Sequence, residues 1–165
     1  YPLSVLAQNT SYTAVSTMPQ AVPLDSITLQ NAGGFGPGAK NQITPVVNFQ
    51  DPAGIQNAYQ FILYINGMKF NKDIFVFNDR LSDGKYISAG LFMDSTYLNS
   101  GDFLQVQMNC IDENVYNYFY QLSQSSGAGA FNTSASPANP SSNISNGALG
   151  YFSAHTTQSR MMRVY

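Results

Sequence analysis

The reading of VVNFQDPAGIQNAYQFILYING, residues 46–67, decides the fold. Its first half, in QITPVVNFQD, carries a strand signal that stops at Asp51-Pro52-Ala53-Gly54, where Pro occupies the favoured second position of a turn. Its second half, AYQFILYIN, is a nearly continuous apolar run, the pattern of a central strand buried on both faces. Asn66-Gly67 then supplies the dipeptide most suited to a two-residue hairpin, leading into MKF. Further strand signals follow in DIFVFND, in DGKYISAGLFMD after an Asp83-Gly84 turn, and in SGDFLQVQMNCID. Punctuated strands at spacings near 10 to 14 residues predict a mainly β protein. The expected fold is an antiparallel β-sandwich or distorted barrel of about eight strands with one α-helix packed on it.

Upstream, YPLSVLAQ and SYTAVSTM alternate apolar and polar residues around Asn9-Thr10, which predicts a hairpin over residues 1–18. An isolated hairpin is marginal in water, so it should lie on the main domain or be the remnant of a preceding one. Pro19 and Pro23 bracket a stiff connector into LDSITLQ, and NAGGFGPGAK follows as a Gly-rich loop. One segment breaks the β pattern. From Asp112, DENVYNYFYQLSQSSG sets Val115, Tyr118, Phe119 and Leu122 at helical spacing, with Asp112 as N-cap, Glu113 in the first turn and Gly127 as the stop. A helix near 112–125 is therefore expected to lie on the sheet. Residues 123–147, rich in Ser, Ala, Gly, Asn and Pro, read as a long loop, and ALGYFSAHTT with SRMMRVY as two closing strands or one bent strand. The expected division is residues 1–22 for the hairpin and 23–165 for the β-rich domain.

Charged residues make up 10% of the 165, against roughly 25% in ordinary soluble domains, and aromatics reach 13% without Trp. Uncharged polar residues with β-favouring aromatics suit a secreted or surface-exposed β protein. A net charge of −2, with seven scattered basic residues, argues against a nucleic-acid partner. The single cysteine, Cys110, precludes an internal disulfide and reads as a buried strand residue. No apolar run approaches the ~18 residues of a membrane-spanning helix. The opening YPLSVLAQ, without methionine or signal peptide, is what a fragment or processed form of a longer protein would show.

Candidate chemistry is sparse. A Cys-His pair would need Cys110 and His155 to meet, and both sit in ordinary strand patterns. No G-x-S-x-G elbow exists, so His155 reads as a structural strand residue. Asp83-Gly84 is explained by turn chemistry and Asp112 by capping, so neither Asp79 with Asp83 nor Asp112 with Glu113 reads as a catalytic pair. A calcium site at Asp79 and Asp83 is the stronger alternative to catalysis, although the spaced oxygen ligands of an EF-hand loop are missing. Neither a cofactor nor a metal ligand is assigned. The helix aromatics Tyr116, Tyr118, Phe119 and Tyr120 cover more than one face, so some must be exposed or meet a partner. In YFSAHT, strand alternation puts Tyr151, Ser153 and His155 on one face. The candidate ligand or partner surface is therefore Tyr116, Tyr118, Tyr120, Tyr151 and His155.

Five separated motifs add a resemblance: YTAVSTMPQAVPLDSI, VVNFQDPAGIQNAYQFILYING, DRLSDGKYI, GDFLQVQMNCIDENVYNYFYQL and NPSSNISNGALGYFSAHT. In that order they resemble the C-terminal half of a Bacteroidetes outer-membrane lipoprotein family, domain of unknown function 4249. The most specific parts are F-x-D-P followed by N-x-Y, and N-P-x-x-N-I-x-x-G-x-L-G-Y-F. The resemblance implies a lipoprotein signal peptide and an immunoglobulin-like β-domain ahead of this region, with residues 1–18 as that domain's last hairpin. It also implies an outer-membrane location through an N-terminal lipid anchor absent from this chain, and a non-enzymatic role beside a TonB-dependent transporter in nutrient uptake or ligand binding. Asp25-Ser26-Ile27 and Asp94-Ser95-Thr96 are similar to the O-glycosylation signal of that phylum. A structural or adhesion component of the cell surface is the alternative role, and a hydrolase using scattered acidic residues ranks last.

Overall fold

The computed structural model describes residues 1–32, 42–93, 97–125 and 139–165. Its strands are β1 (Pro2–Ala7), β2 (Thr10–Val15), β3 (Ser26–Ala32), β4 (Gln42–Gln50), β5 (Ala58–Ile65), β6 (Met68–Lys69), β7 (Phe75–Asn78), β8 (Tyr86–Gly90), β9 (Phe103–Ile111) and β10 (Thr156–Arg163), with one helix, α1 (Glu113–Ser125). The fold is mainly β, with ten strands among the described residues where about eight were expected, and every pairing is antiparallel. Three strands form a sheet in the order β3-β4-β8, and five form another in which β10-β9-β5-β6 are consecutive and β7 also pairs with β5. The sheets do not close into a barrel.

Period-two alternation explains how the sheets meet. On β9, Leu104, Val106, Met108 and Cys110 are buried in the core with Tyr59, Phe61 and Leu63 of β5. Val47 and Phe49 of β4 and Ile87 of β8 come from the smaller sheet, and Val22 and Leu24 of the proline-flanked connector join them. Each such side chain contributes roughly 1.5–3 kcal/mol on burial. The rings of Phe49 and Tyr59 meet edge to face across the two sheets at 4.7 Å.

The other face of the larger sheet is treated unevenly. At one end α1 covers it, with Val115 and Phe119 packing on Ala58 and Ile111. Asp112 caps the helix as expected, its Oδ1 accepting from the Val115 N–H at 2.9 Å. Further along, Gln60, Ile62 and Tyr64 of β5 are only half-buried, so the strand expected to be buried on both faces is covered on one and partly open on the other.

The turns follow backbone chemistry. Asn66 and Gly67 both have positive φ, 51° and 79°, which joins β5 to β6 as expected. The β1–β2 turn lies one residue earlier than expected, at Gln8 (φ 48°) and Asn9 (φ 63°). The hairpin docks through β2. Ser145 N–H donates to Thr13 O at 2.8 Å, Asn146 Nδ2 to Ser11 O at 2.7 Å, and the Ser16 hydroxyl to Asp112 Oδ2.

The closing segment departs from expectation. The YFSAHT stretch is irregular, and only from Thr156 does the chain join the sheet as β10. Positive φ at Asn146, Gly147 and Gly150 breaks the extended path before Tyr151. Asn143 then takes the place of a neighbouring strand. Its Oδ1 accepts from Phe152 N–H at 2.9 Å and its Nδ2 donates to Phe152 O at 2.7 Å. The Gly33–Gly38 stretch, Asp94-Ser95-Thr96 and Gly127 lie outside the described residues.

Candidate functional site

The open part of the large sheet's outer face is the floor of a cleft of about 260 Å³. Gln60 and Ile62 of β5 and Gln107 and Asn109 of β9 form that floor, because strand register sets Gln60 opposite Asn109 and Ile62 opposite Gln107. Phe119 of the helix, with Tyr151, Ser153 and His155, makes one wall, and residues between Lys69 and Phe75 make the other.

The floor is an amide ladder. Asn109 Oδ1 accepts from Gln107 Nε2 and from the Thr157 hydroxyl, both at 2.9 Å, and Asn109 Nδ2 donates to Gln60 Oε1 at 3.2 Å. Asn109, itself buried, is thereby satisfied from three sides. Gln60 keeps its amide nitrogen and Gln107 its amide oxygen, which gives the floor one donor and one acceptor for a bound molecule.

The five candidate residues are divided between two places. Tyr151 and His155 line the cleft, and Tyr118 touches Tyr151, ring centroids 5.0 Å apart. Tyr151 also meets Phe119 edge to face at 4.7 Å. Burial, followed by the nearby Tyr118, raises the Tyr151 phenol above its ordinary value, so it stays a neutral hydrogen-bonding group. His155 is exposed on an irregular segment, not in a strand as expected, yet it shares the cleft with Tyr151 and Ser153 as the alternation implied. Ser153 Oγ lies 3.1 Å from its Nδ1, and no carboxylate among the described residues is hydrogen-bonded to the ring.

Tyr116 and Tyr120, one helical turn apart, stack at 5.8 Å on a different face of α1. They line a shallow hollow with Arg80 and Leu81 instead of the cleft. Burial, then Tyr120, raises the Tyr116 phenol, against a smaller opposite effect of Arg80. Arg80 is ion-paired to Glu113 at 2.6 Å, on the exposed surface.

A second polar concentration joins loop 51–57 to loop 79–84. The carboxylate oxygens of Asp51, Asp79 and Asp83 come within 4.8 Å of one another. Asp51 accepts from the Tyr59 hydroxyl through Oδ1 and from Gly84 N–H at 3.0 Å through Oδ2. Asp79 Oδ2 accepts from Asn57 N–H at 2.6 Å, and Asp83 Oδ1 from Gly54 N–H at 2.8 Å. Burial raises the Asp79 carboxyl above its ordinary range. The Asn57 N–H opposes that shift, and the charges of Asp51 and Asp83 add to it. Burial and the Asp51 hydrogen bond hold the Tyr59 phenol far above its usual value.

Sequence reasoning missed Gln60, Gln107, Asn109 and Asp51. The signal for Gln107 and Asn109 was present in FLQVQMNCID, where Gln105, Gln107 and Asn109 alternate with core residues, and Gln60 is a polar interruption of the apolar run AYQFILYIN. Asp51 was masked by its turn, since an Asp before Pro needs no further explanation.

The F-x-D-P…N-x-Y motif is thus the wall of the carboxylate cluster, and N-P-x-x-N-I-x-x-G-x-L-G-Y-F is the segment that staples the hairpin and delivers Tyr151 to the cleft. No curated protein and no solved structure matches the chain. The family model described as a domain of unknown function (DUF4249) matches residues 1–161, hairpin included, and the chain belongs to that family.

Proposed function

We propose that this domain is a non-enzymatic binding module of an outer-membrane lipoprotein of Bacteroidetes, lipid-anchored through a segment ahead of residue 1 and accessory to a TonB-dependent transporter. The cleft is its ligand surface. The observation that carries this reading is the neutral floor of the cleft: an amide ladder beside a half-exposed tyrosine, with donors and acceptors fixed on sheet strands and the charged Lys69 and Asp73 kept to one wall. Such a surface suits an uncharged ligand rich in hydroxyl or amide groups, a glycan or a peptide. No helix among the described residues is long and apolar enough to cross a membrane, so a helical span within them is not the means of attachment.

The test is co-purification from detergent-solubilised outer membranes of the native host, with a glycan and peptide array run on the same protein. Recovery of a TonB-dependent transporter, together with array binding lost in Tyr151→Ala, is the expected result. Recovery of no membrane partner, with no array binding, would overturn it.

A structural or adhesion role is favoured by a different observation. The hairpin leaves Val5, Leu6 and Val15 exposed, Leu6 at 77%, in a strand pair covered mainly along one edge. Concentration-dependent self-association in sedimentation, lost in Leu6→Ser, would support that role over the first.

A further inference from the structure

The cluster at the end of the sandwich carries charge that its surroundings do not neutralise. Asp51 and Asp79 are 1% and 2% exposed, and Asp83 is exposed. Among the described residues the ion pair is Arg80 with Glu113, and the Lys85 ammonium is bonded to Leu81 O. Among the described residues no cationic side chain is therefore ion-paired with the three carboxylates, although Arg80 lines the hollow beside Asp79 and Asp83. Buried carboxylates at this separation call for a cation or a proton.

A second observation points to an ion. Asn57 is 4% exposed, and its side-chain oxygen has no hydrogen-bond partner. Its backbone is bonded to Asp79 in both directions, Asn57 N–H to Asp79 Oδ2 at 2.6 Å and Asp79 N–H to Asn57 O at 3.1 Å. An Asn oxygen is one short side chain from its own N–H, so this orphaned acceptor lies within side-chain reach of the Asp79 carboxylate. The Ser82 hydroxyl, in the same loop, is also buried and unpartnered. A donor would satisfy one such oxygen. Several oxygens around three carboxylates match the coordination of a hard cation.

We propose that Asp51, Asp79, Asp83 and the Asn57 side-chain oxygen form a calcium site. Calcium takes oxygen ligands at about 2.3–2.6 Å, so ligands across the ion stand up to about 5 Å apart, and the cluster's oxygens, all within 4.8 Å of one another, lie inside that limit. Magnesium, at about 2.0–2.1 Å, demands near-ideal octahedral geometry and dehydrates reluctantly, so it is the poorer match to a cluster of protein oxygens. The loops are held for this task. A Cβ on Gly84 would stand 2.7 Å from that of Ala53, so the two loops touch backbone to backbone. Each N–H bond to Asp79 and Asp83 uses one oxygen, which leaves Asp79 Oδ1 and Asp83 Oδ2 for the ion. Asp51, whose two oxygens already accept from the Tyr59 hydroxyl and Gly84 N–H, would reach it through a remaining lone pair.

The experiment uses the whole chain after chelation, at neutral pH. Terbium luminescence sensitised by tyrosine reports occupancy, since the Tyr59 hydroxyl is bonded to Asp51. We expect one terbium per chain, displaced by calcium near the millimolar range of extracellular modules and at least tenfold less readily by magnesium. Calcium should also raise the thermal midpoint. Asp83→Asn, altered at an exposed position, should fold and should weaken terbium and calcium binding at least tenfold, while its chelated form is no less stable than the parent. Asp79→Asn should do the same, and if it fails to fold, Asp83→Asn alone decides. A parent chain whose midpoint and luminescence ignore calcium at about 1 mM would overturn the proposal. So would an unchanged calcium response in Asp83→Asn.

Discussion

The cleft and the carboxylate cluster are both polar, and they are built on opposite rules. In the cleft, neutral amides on regular strands satisfy one another sideways, and what remains faces outward. In the cluster, charged groups on two interlocked loops take N–H donors from the backbone and keep a surplus of oxygen. Three of the nine acidic residues of a sparsely charged chain meet there, so the concentration is unlike the rest of its surface. The difference teaches that a strand face can carry a binding surface at little electrostatic cost. A charged site needs rigid loops to hold like charges together.

The comparison breaks most severely at Asp51. Asp51→Ala leaves the fully buried Tyr59 hydroxyl and the Gly84 N–H without their acceptor, and should cost about 3 kcal/mol in urea unfolding. Next is Gly84→Ala, with φ at +70° and its new methyl 2.7 Å from Ala53 Cβ. It should cost about 2 kcal/mol and reduce calcium binding by spreading the loops, with the cleft unaffected. On the neutral side, Asn109→Ala removes three hydrogen bonds from the floor and should cost about 1–2 kcal/mol, with the loop cluster and its calcium response intact.

The smallest effect is a slope, and it sharpens the electrostatic half of the comparison. Asp79 has its folded-state pKa raised, so the folded state holds that proton more tightly than the unfolded chain. Its contribution is fully present below the unfolded value and is lost as pH rises through the folded one. In the chelated protein, stability from this group should therefore fall as pH climbs above the ordinary aspartate range. Asp79→Asn should flatten that part of the profile, and calcium should oppose it in the parent. A profile identical in parent and Asp79→Asn would remove Asp79 from the account.

Much of this was legible from the residues alone. Alternation in FLQVQMNC marked β9 and its inward face, Asn66-Gly67 marked a hairpin, and Asp112 marked the start of α1, because each depends on local backbone or capping chemistry. YFSAHT shows where local reading stops. Its alternation correctly put Tyr151, Ser153 and His155 on one side, but the Asn143 amide, not a strand, pairs with Phe152. A pattern of period two reports which side chains share a face. It does not report what satisfies the backbone.

By itself, then, the sequence determined a β-rich chain of low charge, its strand faces, its turns and its single capped helix, since those follow from propensity and periodicity over short windows. Tertiary structure alone decided that Gln60 meets Asn109, that Tyr118 packs on Tyr151 while Tyr116 and Tyr120 face elsewhere, and that Asp51 joins Asp79 and Asp83. Those meetings rest on the register between strands and the contact of two loops 22 or more residues apart in sequence, as in Asn57 with Asp79 and Gly54 with Asp83. No local pattern encodes that distance, because pairing across it is set by how the whole hydrophobic core closes.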